Sequence, residues 1–283
     1  MQYLRMLLLL VFLYVPWSPA HADEWHYSNV DRIVAVGDVS MGELVTALEA
    51  SYGGWGLPAN AAPGKAIRRP APAPQSRLIV IDRPNSPSTY LMLGRMTPII
   101  GHADGIETVD LANEVVGSTF LSRLNADLRE TKGWTYSVRS EIPSYIGQRV
   151  LRISTQVQAD RTADSIHAII DQLAAFPTQK PVDPVELQRV TDGNIRGLPN
   201  RFETNGQVLG ALLANRILGR DERYQAQLPA LYRAIDADAI NAAARDFLQP
   251  DDFTIVVVGD RKVIEEQLET LGMAIEYRSA DEL

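Results

Sequence analysis

The chain has 283 residues, 46% of them hydrophobic and 22% charged, which suffices for a packed core and excludes a wholly disordered protein. Its 27 Lys and Arg stand against 35 Asp and Glu, a net charge of −8, so it lacks the basic excess behind sequence-independent binding to nucleic acid or anionic lipid. Without a cysteine, disulfide scaffolds, thiolate metal sites and thiol catalysis are excluded.

Residues 1–22 read as a signal peptide: Arg5, the apolar run Met6–Val15, Pro16 and then Ala20-His21-Ala22 reproduce a charged start, a short apolar stretch and a small-residue cleavage site. The run covers about half of the roughly 20 residues a membrane-spanning helix needs, so no stable span is expected and the mature chain is periplasmic or secreted. A strand is predicted over Arg32–Val36, ended by Gly37-Asp38. A helix then starts at Ser40, with Glu43 at capping-box spacing, and ends near Tyr52-Gly53-Gly54. Residues 56–75, rich in Pro and Ala, read as a linker.

Strands are predicted over 78–81 and 89–93, and helices over 104–118 and 120–132, the second closed by Lys132-Gly133. Strands over 134–138 and 150–157 precede four helices, near 162–176, 183–197, 204–219 and 236–248. A last strand, Phe253–Val258, ends in Gly259-Asp260 and leads into a helix through Val263, Ile264 and Leu268. This order predicts an α+β fold with a mixed, largely antiparallel sheet and helices packed on one face. Strand–Gly-Asp–helix occurs twice, with Gly37 and Gly259 separated by 222 residues (259 − 37). A period of that length fits tandem homologous domains. Residues 23–55 would be the last strand and helix of an incomplete domain, and 76–283 a complete one.

The stretch Gly117-Ser-Thr-Phe-Leu-Ser-Arg-Leu-Asn-Ala-Asp-Leu-Arg-Glu-Thr-Lys-Gly-Trp-Thr-Tyr-Ser137, with Gly197-Leu-Pro-Asn-Arg-Phe-Glu-Thr204 and the terminal Val-Val-Val-Gly-Asp, resembles the insulinase/pitrilysin-type zinc peptidases, in their C-terminal, non-zinc domain. The resemblance covers about residues 25–283 and implies a chamber of two similar halves. One half carries zinc on an inverted H-x-x-E-H motif. The other supplies an Arg and a Tyr seven positions apart that hold the peptide. Arg129 and Tyr136 have that spacing (136 − 129) and are the candidate substrate-binding residues. Arginine offers several fixed donors to carbonyls, and a tyrosine hydroxyl can donate to a developing oxyanion. Ser122 and Arg123 read as helix-packing or inter-helix polar contacts, not catalytic groups.

Neither H-x-x-E-H nor H-E-x-x-H occurs. Of the four histidines, His21 and His26 flank Glu24 at a spacing one residue too long. On a helix they would lie about 140° apart and could not face one metal. His102 and His167 are isolated. The expectation is therefore a chain with no metal site or catalytic residue of its own. Zinc is expected only on a partner chain or a missing N-terminal half that carries H-x-x-E-H, and the substrate is a peptide. The alternatives are a catalytically inactive peptide-binding or scaffold subunit, or a truncated fragment of a longer peptidase.

Overall fold

The computed structural model describes residues 33–54, 76–100, 105–145, 147–221, 223–248, 250 and 252–279. The signal-like segment, the linker 56–75, and His21, His26 and His102 lie outside the described residues. In chain order the elements are α1 (Met41–Tyr52), β1 (Arg77–Asp82), β2 (Ser88–Ile100) and α2 (Ile106–Asn113), which continues as a π-helical turn over Glu114–Ser118. Next come α3 (Arg123–Asn125), continuing as a π-helical turn over Ala126–Thr131, then β3 (Thr135–Glu141), β4 (Gln148–Gln158), α4 (Thr162–Ala175) and α5 (Pro184–Gly197). The chain ends with α6 (Asn205–Ile217), α7 (Tyr224–Ala234), α8 (Ala237–Phe247), β5 (Thr254–Gly259), α9 (Arg261–Glu269) and β6 (Ile275–Arg278).

The chain divides into two compact units, Met1–Arg69 with Gly197–Tyr224, and Pro70–Arg196 with Gln225–Leu283. In the first, α1 begins as its sequence predicts. The Ser40 side chain accepts from the Glu43 amide, and the Glu43 carboxylate accepts from the Ser40 amide at 2.9 Å. Helix α6 has the same reciprocal cap from Thr204 and Gln207. The strand expected over Arg32–Val36 is not formed at its described residues, Ile33–Val36. A strand's hydrogen bonds come from neighbouring strands, and the described residues of this unit contain none.

The second unit is α+β. Its sheet runs β3-β4-β2-β5-β1-β6. The pairs β3/β4, β4/β2 and β2/β5 are antiparallel, and β5/β1 and β1/β6 are parallel. One face is buried: Leu151, Ile153 and Val157 of β4 are inaccessible, while Gln156 and Gln158 between and beyond them are exposed. Leu78, Leu91, Leu93, Ile255 and Val257 extend the same core across the sheet. Helices α4, α8 and α9 contribute Ile166, Ile169, Leu173, Ile240, Ile264 and Leu268 to it.

The Gly-Asp that ends β5 has two structural tasks. A Cβ at Gly259 would lie 2.7 Å from Thr89 Oγ1, so only glycine allows this approach to β2. The Asp260 carboxylate caps α9 through the Lys262 amide and accepts from the Asn85 amide at 2.8 Å, fixing the β1–β2 turn, where Asn85 has φ 62°.

Three elements depart from expectation. Strand β2 runs to Ile100, well past residue 93, with an irregularity between Met96 and Ile100 that Gly94 and Pro98 mask in the sequence. Helix α7 carries Pro229 in its interior, which reads locally as a helix break. Strand β6 is a short, charged edge strand whose partner lies some 200 residues earlier in the chain.

Candidate functional site

Arg129 and Tyr136 occupy the two segments joined by the turn at Lys132–Trp134. Gly133 takes φ 65° there, its amide donating to the Arg129 carbonyl at 3.2 Å, and the Trp134 amide donates to the Leu128 carbonyl at 3.0 Å. This is the left-handed helix stop that glycine accommodates. The helix that precedes it is π-helical over Ala126–Thr131. The wider turn changes the facing of Arg129 relative to a regular α-helix, and such turns often mark functional positions.

Tyr136 owes its orientation to a β-bulge. In β3, Thr135 pairs with Val157 and Val138 with Thr155, so Tyr136 and Ser137 together oppose a single residue of β4. Strict alternation would put Tyr136 on the same face as Val138, which is buried. The bulge instead leaves Tyr136 95% exposed. The other bulge residue, Ser137, has its backbone satisfied locally: its carbonyl accepts from the Thr155 hydroxyl at 2.9 Å and its amide donates to Thr135 Oγ1 at 3.2 Å.

Arg129 is held differently. Its side chain is 15% exposed and pairs with the Glu130 carboxylate. The guanidinium lies over the ring of Phe120, 3.5 Å from the centroid. Phe120 is 68% exposed and Leu121 beside it is also exposed. The arginine is thus laid flat on an aromatic surface, and its neighbouring carboxylate offsets its charge, which suits neutral carbonyl acceptors better than anions.

Two buried asparagines reach β3, Asn113 from the end of α2 and Asn125 from the segment that carries Arg129. The Asn113 amide donates to the Ser140 carbonyl at 3.3 Å, and the Ser140 hydroxyl donates back to Asn113 Oδ1. Asn125 accepts from the Val138 amide at 2.9 Å and donates to the Val138 carbonyl at 2.9 Å. The same amide group reaches the Thr119 carbonyl at 3.0 Å and Ser122 Oγ at 3.1 Å. The outward backbone groups of β3 at Val138 and Ser140 are occupied in this way, so at those residues the sheet edge is covered and does not invite another strand.

Ser122 and Arg123 take the packing roles that their positions imply. Ser122 is fully buried. Arg123 forms a bidentate pair with Glu186, donates to the Pro181 carbonyl at 3.0 Å, and stacks over buried Phe176 at 4.5 Å. His167 is an exposed residue of α4. Among the described residues no group of three or more His, Cys, Asp or Glu is arranged to hold a metal ion. No helix among them is long and apolar enough to cross a membrane.

Sequence reasoning passed over Phe120 and Asn125. The latter left a signal: it interrupts the apolar positions Leu121, Leu124 and Leu128 with a poor helix former, the mark of a buried hydrogen-bonding role. Phe120 left none, because its value depends on a contact nine positions along the chain.

The profile of the peptidase M16 inactive domain matches residues 26–193, a span that contains both segments. The chain is similar to the solved peptidase M16 inactive domain from Pseudomonas fluorescens, at 24% identity and TM-score 0.69, covering 80% of this chain and 52% of that one. A protease from Helicobacter pylori matches at 14% identity and TM-score 0.67, covering 78% and 53%. The periplasmic protease PqqL from Escherichia coli matches at 17% and 0.62, covering 80% and 25%. This chain therefore spans about half the length of the first two solved proteins and a quarter of the third. No curated protein matches it.

Proposed function

The chain belongs to the peptidase M16 family, by way of the family's inactive domain, and on that premise we propose that it is the substrate-holding, non-zinc part of an exported insulinase-like metallopeptidase. Arg129 and Tyr136 would hold a peptide by its backbone carbonyls, the arginine from its Phe120 surface and the tyrosine from the bulge. The observation that carries the reading is the bulge itself. It turns a tyrosine out of a core-facing register into nearly full exposure, which costs apolar burial and leaves the hydroxyl presented to groups outside the fold.

Hydrolysis at zinc needs ligands and a base to activate water. The described residues do not fit that group, so no hydrolytic step is assigned to this chain. Zinc and base are assigned to a partner chain, or to a further segment, carrying H-x-x-E-H. Export rests on the signal-like Met6–Val15 run and its small-residue cleavage site, and a periplasmic location agrees with that of PqqL.

The test is fluorescence anisotropy with a fluorescein-labelled, end-capped, Leu- and Ala-rich peptide. The Arg129→Ala and Tyr136→Phe chains are expected to bind about tenfold more weakly than wild type, as loss of a hydrogen bond involving a charged or oriented donor requires, with unchanged thermal midpoints. Equal affinity in all three proteins would sink the reading. Peptide cleavage is expected only when a chain carrying H-x-x-E-H and zinc is added. Chelator-sensitive cleavage by this chain alone would contradict that assignment.

A further inference from the structure

We propose that Phe120 and Asn125 are the positioning residues of this site: Phe120 is the platform that sets the Arg129 guanidinium, and Asn125 fastens the loop carrying that platform to the strand carrying Tyr136. The inference rests on the substrate-holding reading above and extends it to two residues outside the Arg–Tyr pair.

Arginine has several rotatable bonds and ordinarily loses considerable freedom when it is fixed. Here the cost is met before any ligand arrives, since the guanidinium already lies 3.5 Å from the Phe120 centroid. The ring does this from an exposed position, where an aromatic side chain contributes little to the core. Its backbone, in turn, is not free to drift. The preceding residue, Thr119, gives its carbonyl to the buried Asn125 amide at 3.0 Å, and the Thr119 hydroxyl donates to the Glu114 carbonyl at 3.3 Å.

The Asn125 amide also holds Val138 by both its N–H and its C=O, immediately beyond the Tyr136–Ser137 bulge. One side chain therefore bridges the loop under Arg129 and the strand under Tyr136. It also sits one helical turn before Arg129 itself. A site whose two donors must meet one extended peptide needs such a fixed relation, because a shift of about 1 Å is enough to misalign them.

The experiment compares full-length wild type with Arg129→Ala, Phe120→Ala, Phe120→Tyr and Asn125→Asp, using the same labelled peptide and a proton–nitrogen NMR spectrum. In wild type the Arg129 Nε–H resonance should be displaced by the ring current of Phe120, and it is assigned by its absence in Arg129→Ala. Phe120→Ala and Asn125→Asp are expected to lose the displacement and to bind about tenfold more weakly, while Phe120→Tyr restores both. Phe120→Ala removes the source of the displacement whatever the ring's role, so for Phe120 the affinity decides, and a merely structural role would leave it at the wild-type value. In Asn125→Asp the ring is kept, and the displacement itself reports whether the guanidinium stays on it. Wild-type affinity in Phe120→Ala alongside weakened binding in Arg129→Ala overturns the platform, and an intact displacement and affinity in Asn125→Asp overturns the fastening. If Arg129→Ala binds like wild type, the substrate-holding reading fails, and the resonance alone decides whether the two residues position the arginine. Should Asn125→Asp not fold, scalar couplings across the hydrogen bonds from the wild-type Asn125 side-chain amide to the Thr119 and Val138 carbonyls decide the fastening, and their absence overturns it.

Discussion

At Gly117 there is no room for a side chain: a Cβ would lie 2.5 Å from Ser140 Cβ and 3.0 Å from Leu124 Cδ1. The glycine lets the π-helical end of α2 press onto β3, where Asn113 and Asn125 then reach the strand's backbone. Gly117→Ala should destabilise the protein by about 1–3 kcal/mol through overpacking, lowering the thermal midpoint by several degrees, read by circular dichroism. An unchanged midpoint would mean that the helix and strand can separate without loss. Part of this scale is legible in the sequence. The spacing of Arg129 and Tyr136, the Ser40 cap and the glycine stop at Gly133 are local patterns of a few residues, and the cap and the stop have the backbone they need. The stacking of Arg129 on Phe120 and the four contacts of Asn125 are not legible, because each partner is identified only once two segments have packed.

At the scale of elements, α9 and β6 are tied by a cluster at the surface. The Arg261 guanidinium and then the Tyr277 hydroxyl donate to Glu265 and hold its carboxyl below the usual carboxylate range. The same bond to Glu265 is the main cause of the raised Tyr277 hydroxyl. Glu276 is lowered by Arg77 and then Arg278. A carboxyl depressed in the folded state stabilises above its unfolded value, and that stabilisation is lost as pH falls through the folded value. For a hydroxyl raised in the folded state, stabilisation holds below the unfolded value and fades as pH rises through the folded one. Glu265→Gln should therefore flatten the acid side of a plot of thermal midpoint against pH, below the usual carboxylate range, and weaken the alkaline side as well. The groups are half-exposed or exposed, so the effect is small; a profile superimposable on wild type at both ends would show that the bonds to Glu265 add nothing to the hold on β6.

Most helices and strands of the second unit are legible, because their apolar periodicities are strong, and α8 and α9 add aspartate caps. Those the sequence hides have physical reasons. Pro229 sits inside α7 and imitates a break, and β6 is too short to establish a period. At Ile33–Val36 the apolar run is strand-like, but a strand is a relation between two segments, and no described segment of that unit supplies the other.

For the whole molecule, the two units differ in how much they bury. Helix α1 has no buried residue, whereas β5 lies between β2 and β1 with Ile255 and Val257 in the core. Amide hydrogen exchange should show β5 as protected as global unfolding allows, and α1 exchanging much faster through local opening. Comparable protection in both would mean that α1 is covered in solution, as the proposed zinc-bearing partner could do.

From the sequence alone follow the exclusion of thiol chemistry, the α+β class, the family-like motifs and the Arg129–Tyr136 spacing, since composition and short-range periodicity need no third dimension. Only the tertiary structure decides that β1 lies parallel between β5 and β6, that a bulge turns Tyr136 outward, and that Arg129 lies on Phe120 while Asn125 bonds Thr119 and Val138. The physical reason is range. Each of these depends on hydrogen bonds or ring contacts between residues far apart on the helical or strand repeat, and such pairs acquire meaning only when the hydrophobic core has brought their elements together.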